Sequence, residues 1–310
     1  MTRTVRAKAP AKVNLQLTVG PVAEDGFHPL VTVFQAVDLF ETVEATARTD
    51  GRITLTVDAA AGSPVDASGV PVDESNLAWR AAELVASSYG IADGVDLRIV
   101  KGVPVAGGMA GGSADAAAAL VACAEAWDVG ATRGELARLA ARLGSDVPFS
   151  LHGHTAMGVG RGDQLTPVMS HGQFHWVVAT QAEGLSTPRV YAEYDRRIAG
   201  REQVQNDLAV EAPVMTALMA GDPVALGRAV INDLEGPALS LMPRLEKVLD
   251  VAEEAEACAA MVSGSGPTVV ALARSRQHAL AIAAHLKAAR VADAVLTATG
   301  PTAGTVLVQD

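Results

Sequence analysis

A glycine-rich segment at residues 104–115 constrains the fold more than any other part of the sequence. A strand pattern precedes it at residues 95–99, and an alanine-rich helical pattern follows it. Its glycines lack the side chains that would keep an anion away from backbone N–H groups; they are Gly107, Gly108, Gly111 and Gly112. Because the N-terminus of a helix attracts anions, this strand–loop–helix unit predicts a phosphate site. A plain surface loop is the alternative for a glycine cluster taken alone.

The segment differs from two familiar phosphate-binding loops. A Walker A loop ends in Gly-Lys-Ser/Thr, whereas these glycines run into Ser113, Ala114 and Asp115 with no lysine. A dinucleotide-binding turn needs G-x-G-x-x-G after the first strand and an acidic residue about 20 positions later. The sequence fits neither pattern, so the predicted phosphate site is of another type.

Charge and composition narrow the classes of partner. The formal net charge of −11 argues against a nucleic-acid partner, since such proteins usually carry a basic face. The only cysteines, Cys123 and Cys258, are too few for a disulfide framework. No apolar run approaches the ~20 residues that span a bilayer, and the N-terminus lacks the apolar region of a signal peptide. We therefore expect a cytoplasmic protein without a membrane or nucleic-acid partner.

The order of predicted elements indicates an α+β fold in two parts. Strand patterns dominate the first 60 residues, and helices follow at 75–89, 114–127 and 133–143. Thr132 and Glu135 form a capping box before the last of these helices, and Gly144 ends it. After about residue 166 the pattern resembles a split βαβ, ferredoxin-like arrangement. We place the domain boundary at about residue 165.

Three places carry candidate chemistry. In the first strand Lys12, Asn14 and Gln16 share one face, which for a lone strand is more often simply exposed. Asp146 stands in a defined turn before Pro148, where a carboxylate can act as a base or merely serve as a turn or capping residue. Residues 263–267 (Ser-Gly-Ser-Gly-Pro) join two strand-like runs, either as a tight hairpin or as a backbone that approaches a phosphate or the first glycine loop.

Other reaction classes find no support in the sequence. His152 and His154 form an H-x-H pair, but no Cys, Asp or Glu stands nearby at ligand spacing, which argues against zinc. The sequence contains no G-x-S-x-G motif and no cysteine in a catalytic setting, so covalent hydrolase chemistry is not expected.

Taken together, residues 10–15, 104–115 and 262–267 resemble the three ordered motifs of the GHMP kinase superfamily. Residues 24–28 (EDGFH) and 143–149 (LGSDVPF) are similar to the branch of that superfamily that acts on a cytidine-diphosphate alcohol. The resemblance spans nearly the whole chain, although residues 190–255 carry little signature. It implies an N-terminal ribosomal-protein-S5-like α/β domain over residues 1–165 and a C-terminal ferredoxin-like α/β domain over residues 166–310.

The resemblance also implies a reaction. Asp146 matches the catalytic base, which takes the proton from the C2 hydroxyl of cytidine-diphosphate methylerythritol in isoprenoid precursor synthesis, and Lys12 steadies it. The hydroxyl attacks the γ-phosphate of ATP, with Mg²⁺ bridging phosphate oxygens. Ser113 matches the position nearest the metal. The implied ATP-binding residues are Asn76, Lys101, Pro104, Val105, Ala106, Gly107, Gly108, Met109, Ala110, Gly111, Gly112, Ser113 and Ala114.

At the substrate end the resemblance implies that Phe27 and Tyr191 sandwich the cytosine and that His28 reads its edge. Asn14 and Thr187 match further substrate contacts. Phe27 replaces the family's usual tyrosine, whereas Ala106 and Ala110 replace loop glycines, and Ala114 replaces a serine. If either of the two loop alanines adopts a positive φ, we expect weaker ATP binding.

Two alternatives compete with this hypothesis. Another kinase of the superfamily, of the homoserine or mevalonate type, predicts no preference for cytosine, which the Phe27–His28 pair argues against. A catalytically silent nucleotide-binding protein on the same fold is disfavoured because Lys12 and Asp146 are both present. The partner is then a small-molecule substrate, and we expect a monomer or a weak homodimer.

Overall fold

The computed structural model describes residues 4–105, 107–199 and 208–309. In this part of the chain two β-sheets are surrounded by helices. The strands are β1 (Thr4–Val19), β2 (Leu30–Arg48), β3 (Ile53–Ala59), β4 (Gly94–Lys101), β5 (Thr155–Val159), β6 (Gln164–Pro167), β7 (Phe174–Thr180), β8 (Ile231–Asn232), β9 (Ala259–Val262), β10 (Val269–Ala273), β11 (Ala294–Gly300) and β12 (Val306–Leu307). The helices are α1 (Leu77–Tyr89), α2 (Gly111–Ala126), α3 (Arg133–Leu143), α4 (Val147–His152), α5 (Thr187–Ile198), α6 (Ala212–Ala220), α7 (Pro223–Gly227), α8 (Glu235–Leu241), α9 (Arg244–Glu254) and α10 (Arg276–Ala289).

The first sheet is built on the long antiparallel pair β1–β2. Its main path runs β12-β1-β2-β4-β3, while β5 joins β2, β6 joins β5, and β8 pairs with β1 in parallel. The register of β1 on β2 shifts between Pro10 and Ala11 and again between Asn14 and Gln16. Such bulges bend a strand and re-aim its side chains. They flank Lys12 and Asn14, the polar pair that the sequence singled out.

Helix α2 lies at the centre of the N-terminal core. Its alanines are buried on nearly every side, between α1 and the first sheet. Alanine side chains are small and so permit this close approach. A helix that is apolar on all sides is stable only where other elements cover all of its sides. The buried helix fixes the position of the glycine-rich segment that precedes it.

The second sheet has the strand order β11-β7-β10-β9, and every pairing in it is antiparallel. Along the chain its strands and the helices packed on it follow the ferredoxin-like order β7, α9, β9, β10, α10, β11. The predicted ferredoxin-like C-terminal part is therefore confirmed.

The two sheets pack against each other through alternating side chains of β7. Trp176 and Val178 join a core with Val13 and Leu15 of β1, whereas Val177 belongs to the core beneath the C-terminal helices. This alternation follows from the pleat of a strand, in which successive side chains point to opposite faces. The shared core includes Met261 and Val270, which flank the third glycine-containing motif.

The sequence located most elements to within a few residues. Helix α3 has the predicted bounds, and its capping box between Thr132 and Glu135 is present. Helix α2 starts three residues earlier than predicted, at Gly111. The short helices α4 and α8 were not predicted, since with 6 and 7 residues they are too short to show a helical period of apolar residues.

The chain crosses between the two parts more than once. Strand β6 ends at Pro167 in the first sheet, and β7 opens the second sheet at Phe174. Later, β8 and β12 return to β1 of the first sheet. The boundary at about residue 165 stays a prediction, but the returning strands show that the two parts share a framework around β1.

Candidate active site

A cleft of about 1050 Å³ lies where the two parts meet. Its walls contain glycines of two separate loops, a lysine and an aspartate, and aromatic side chains. The predicted site residues that line it are Lys12, Asn14, Phe27, His28, Gly107, Gly108, Ala110, Gly111, Gly112, Asp146, Thr187 and Tyr191. The fold thus brings both halves of the predicted site into one cavity.

The two glycine-containing loops touch at the back of this cleft. A side chain on Gly108, whose φ is +72°, would collide with the carbonyl oxygen of Ser263, and a Cβ on Gly107 would lie 2.5 Å from Thr268 Oγ1. The loop at residues 263–268 is also a hairpin, since Ser263 N–H donates to the carbonyl of Thr268 at 2.8 Å. The hairpin and the approach to the first glycine loop are therefore both confirmed, and an approach to phosphate stays a prediction.

The N-terminus of α2 opens into the cleft. Ala110 precedes the helix and gives it no side-chain cap, and both Gly111 and Gly112 line the cavity. Helix N–H groups left without a cap, beside residues with no side chain, suit an anionic phosphate chain. The described residues therefore fit a triphosphate at this end.

Ala110 adopts the left-handed conformation, with φ +61° and ψ +32°. A Cβ in this region costs on the order of 1 kcal/mol relative to glycine. Ala110 thus has the positive φ for which we expect weaker ATP binding. The weaker binding itself stays a prediction. Ala106, the other loop alanine, lies outside the described residues.

Lys12 and Asn14 form a buried polar pair on β1. Lys12 Nζ donates to Asn14 Oδ1 at 2.6 Å, and Asn14 Nδ2 donates to Thr32 Oγ1 at 2.8 Å. Burial lowers the pKa of Lys12, while the charge of Asp146 acts in the opposite direction. The main chain of Lys12 also donates to the carbonyl of Met109 at 3.2 Å, which ties the strand to the phosphate loop.

Asp146 enters the cleft from the start of α4. Its carboxylate makes no capping hydrogen bond to that helix, so the capping role considered as an alternative is absent. Burial raises the pKa of Tyr191 to about 12, and the charge of the Asp146 carboxylate and the neighbouring Tyr194 act in the same direction. Asp146 is therefore electrostatically coupled to the lysine and to an aromatic residue of the cleft.

The aromatic end of the cleft is organised around His28. Its Nε2 lies 2.8 Å from Asp195 Oδ1, and its ring centroid is 4.9 Å from that of Tyr191. The carboxylate partner favours a proton on Nε2, which leaves Nδ1 as an acceptor. Sequence reasoning missed Asp195, although it follows Tyr191 by four residues and so shares its face of α5.

Phe27 stands at the rim with half of its surface exposed. The guanidinium of Arg161 lies 3.5 Å above its ring and is also paired with Asp25 at 2.9 Å. No sequence pattern indicated Arg161, which lies in the turn after β5. The sandwich of a base between Phe27 and Tyr191 stays a prediction.

Thr187 joins the substrate side to the third motif. Its Oγ1 lies 2.8 Å from Ser265 Oγ, at the first position of α5. The helix that carries Tyr191 and Asp195 is therefore fixed to the loop that touches the phosphate segment.

Seven of the predicted ATP-binding residues lie outside the lining of the cleft; they are Asn76, Lys101, Pro104, Val105, Met109, Ser113 and Ala114. The structure gives Asn76 and Lys101 other partners. Asn76 caps α1 by accepting from Ala78 N–H at 2.8 Å. Lys101 lies 2.6 Å from Glu41 and 2.5 Å from Asp115 in a buried cluster. Their contacts with a nucleoside stay predictions, as does the metal contact of Ser113 on the first turn of α2.

The described residues contain no group of three or more His, Cys, Asp or Glu side chains that could hold a metal. None of the helices in the described ranges combines the length and apolarity that a membrane crossing requires.

The fold and this site define a GHMP kinase. The family models described as GHMP kinases N terminal domain and GHMP kinases C terminal match residues 76–154 and 214–292. Mevalonate kinase of L. major in complex with R-mevalonate superposes with a TM-score of 0.77 at 18% identity, covering 98% of each chain, which supports the fold alone.

Closer relatives narrow the class. A 4-diphosphocytidyl-2-C-methyl-D-erythritol kinase of Leifsonia xyli subsp. xyli is 47% identical over 99% of both chains, and one of Thermobifida fusca is 49% identical over 98% of both. A crystal structure of 4-(cytidine 5'-diphospho)-2C-methyl-D-erythritol kinase is 32% identical, with a TM-score of 0.74, covering 96% of this chain and 98% of its own. The chain belongs to the 4-diphosphocytidyl-2-C-methyl-D-erythritol kinase family.

Proposed function

We propose that the protein transfers the γ-phosphate of ATP to the C2 hydroxyl of 4-diphosphocytidyl-2-C-methyl-D-erythritol, giving the 2-phosphate and ADP in isoprenoid precursor synthesis. One observation carries the proposal: a single cleft is lined by the uncapped start of α2, by Lys12 and Asp146, and by the aromatic group around His28. A nucleotide triphosphate and a nucleoside-linked alcohol need these different environments side by side.

The residues of the cleft supply the steps of the transfer. Asp146 accepts the hydroxyl proton, the hydroxyl oxygen forms a bond to the γ-phosphorus, and the bond from that phosphorus to the β–γ bridging oxygen breaks. Lys12, held by Asn14 at 2.6 Å, keeps a positive charge near the carboxylate and the transferring group. Bound Mg²⁺ supplies charge neutralisation on the phosphate oxygens.

The aromatic end selects the substrate. With its Nε2 proton directed to Asp195, His28 presents Nδ1 as an acceptor for the exocyclic amino group of cytosine. Tyr191 is protonated at physiological pH, and burial raises its pKa further, to about 12. Its ring offers a neutral stacking surface beside His28.

Further parts of the proposal have narrower support. We infer a cytoplasmic enzyme, supported by two cysteines that are both free thiols. The expected monomer or weak homodimer stays a prediction.

The test is ADP release with ATP, Mg²⁺ and three alcohols: the cytidylylated methylerythritol, homoserine and mevalonate. We expect turnover of the first alone.

Asp146→Asn should reduce kcat by about 10²–10⁴-fold, the usual contribution of a general base. Asp93→Asn is the matched control, since it removes the same charge from an exposed turn. Turnover of homoserine or mevalonate instead of the cytidine compound would contradict the assigned substrate, and ATP binding without turnover of any alcohol would favour a silent nucleotide-binding protein.

A further inference from the structure

Asn232, at the end of the two-residue strand β8, binds the third motif through its side chain. Its Nδ2 donates to the carbonyl oxygens of Val262 and Gly264, both at 2.8 Å. Its Oδ1 accepts from Leu234 N–H at 3.0 Å. Both donors and one acceptor of the amide are thus used, and two of these bonds end on the loop that touches the phosphate segment.

The backbone around Asn232 is fixed to the strand that carries Lys12. β8 pairs with β1 in parallel, with Asn232 opposite Leu17. Asp233 N–H donates to the carbonyl of Leu17 at 2.9 Å, and the Asp233 carboxylate accepts from Val19 N–H at 2.8 Å. Asn232 therefore has a rigid base on the first sheet while its side chain holds a loop of the second.

Gly264, which Asn232 holds, lies directly against the candidate catalytic group. A Cβ built on Gly264 would be 3.3 Å from Lys12 Nζ, 3.5 Å from Asn14 Oδ1 and 3.3 Å from the carbonyl oxygen of Gly108. Its φ is +56°. A shift of this peptide would thus move the surroundings of the lysine and of the phosphate loop together.

We propose that Asn232 is a positioning residue for phosphoryl transfer: it locks the Gly264 peptide to β1, so that Lys12 and the phosphate loop keep their relative placement. This inference rests on the proposed function. An asparagine is required because both contacts on the loop are carbonyl oxygens, which need two N–H donors. An aspartate of the same shape would set a carboxylate against two carbonyl oxygens and leave both unpaired.

A second side chain of the same segment supports the loop at the same end. Glu235 Oε2 accepts from Val262 N–H at 2.8 Å. Asn232 and Glu235 thus hold both polar groups of the Val262 peptide backbone, the last residue of β9 before the loop.

The test compares Asn232→Asp with wild type in the ADP-release assay. We expect kcat to fall by about 10–100-fold, since a displacement of about 1 Å can cost 10²-fold. The KM for the cytidine substrate should change by less than about 3-fold, because Asn232 bonds Val262 and Gly264, whereas α5 with its aromatic residues is tied to the loop through Ser265. A merely structural defect predicts no such separation of kcat from KM.

Asp222→Ala is the matched control. It removes the side chain that accepts from Val224 N–H at 2.8 Å and Ala225 N–H at 3.1 Å, so it also loses two hydrogen bonds in the C-terminal part, away from the cleft. We expect lower thermal stability with kcat unchanged. The inference would be overturned if Asn232→Asp kept the wild-type kcat. It would also be overturned if, at equal thermal stability, Asn232→Asp lost no more kcat than Asp222→Ala.

If Asn232→Asp does not fold, Glu235→Ala decides, because it loosens the same loop from its second anchor. A selective loss of kcat supports the inference, and wild-type kcat contradicts it. Failure of the proposed function is distinguishable: wild type would then phosphorylate another alcohol, and the dependence of kcat on Asn232 would be measured with that alcohol.

Discussion

Lys12 and Lys101 are two buried lysines in one domain, with 5% and 2% of their surface exposed. Burial lowers the pKa of Lys12, and Asp146 only partly opposes this. Burial acts on Lys101 in the same direction, but attraction to Asp115 and Glu41 outweighs it, so the pKa of Lys101 is raised. The difference lies in the partners: Lys12 donates to a neutral amide beside an open cleft, whereas Lys101 is enclosed by two carboxyl groups.

The comparison separates a lysine available for chemistry from one that stabilises the fold. Burial and the charge of Asp115 raise the pKa of Glu41 to about 8, so Glu41 is largely protonated near neutral pH, while burial also raises the pKa of Asp115 and Lys101 keeps its charge. Glu41 also accepts from Gly102 N–H at 2.9 Å, directly before the phosphate loop. The Lys101 cluster therefore supports the base of that loop, and Lys12 acts at its open side.

The largest expected effect on stability comes from Lys101→Met. It leaves two buried carboxyl groups without their cation, and breaking a buried pair in this way costs about 3–5 kcal/mol. The measurement is the free energy of unfolding in urea. Lys247→Met, on the exposed side of α9, is the control and should stay within about 0.5 kcal/mol of wild type. A loss below about 1 kcal/mol for Lys101→Met would show that the cluster does not support the fold.

A smaller effect is expected from Glu41→Gln. The folded-state pKa of about 8 lies above the ordinary value of 4.5, so the unfolded chain releases this proton first as pH rises. The stability contributed by protonated Glu41 is complete below about pH 4.5 and is lost by about pH 8, with a slope of at most about 1.4 kcal/mol per pH unit. The variant should lack this slope in urea unfolding measured across that range.

Glu44→Gln provides the comparison for Glu41→Gln. Glu44 lies on the same strand and pairs with Arg6 and Arg98 near the surface. Its variant should follow the wild-type dependence on pH. If the stability of Glu41→Gln also follows the wild-type dependence on pH, Glu41 is ionised in the folded protein. That result would contradict the raised pKa of Glu41.

The sequence allowed the partner of Lys12 to be predicted but not the partners of Lys101. Lys12 and Asn14 could be placed together from the alternation along one strand, and the structure confirms that they bond. Lys101 could not be paired with Glu41, because their contact depends on the register of β2 on β4, about which the sequence carries no local signal. Sequence similarity therefore assigned Lys101 to the nucleotide, while the structure places it in an ion cluster.

Local signals also account for what was predicted in the rest of the molecule. The capping box and glycine stop located α3 to the residue. The i,i+4 spacing of Tyr191 and Asp195 could have indicated the partner of His28. Asn232 could not be found in this way, since its role depends on a two-residue parallel strand and on a loop 30 residues further along the chain.

Lys12→Met tests the central claim most directly, with kcat for the cytidine substrate and the free energy of unfolding measured on the same preparation. We predict a fall in kcat of at least about 10²-fold, with stability within about 1 kcal/mol of wild type, because methionine fills the same space without a buried charge. Lys101→Met, measured alongside, should show the reverse. Wild-type kcat in Lys12→Met, or a loss of activity that follows loss of folded protein, would contradict the assignment of Lys12 to catalysis.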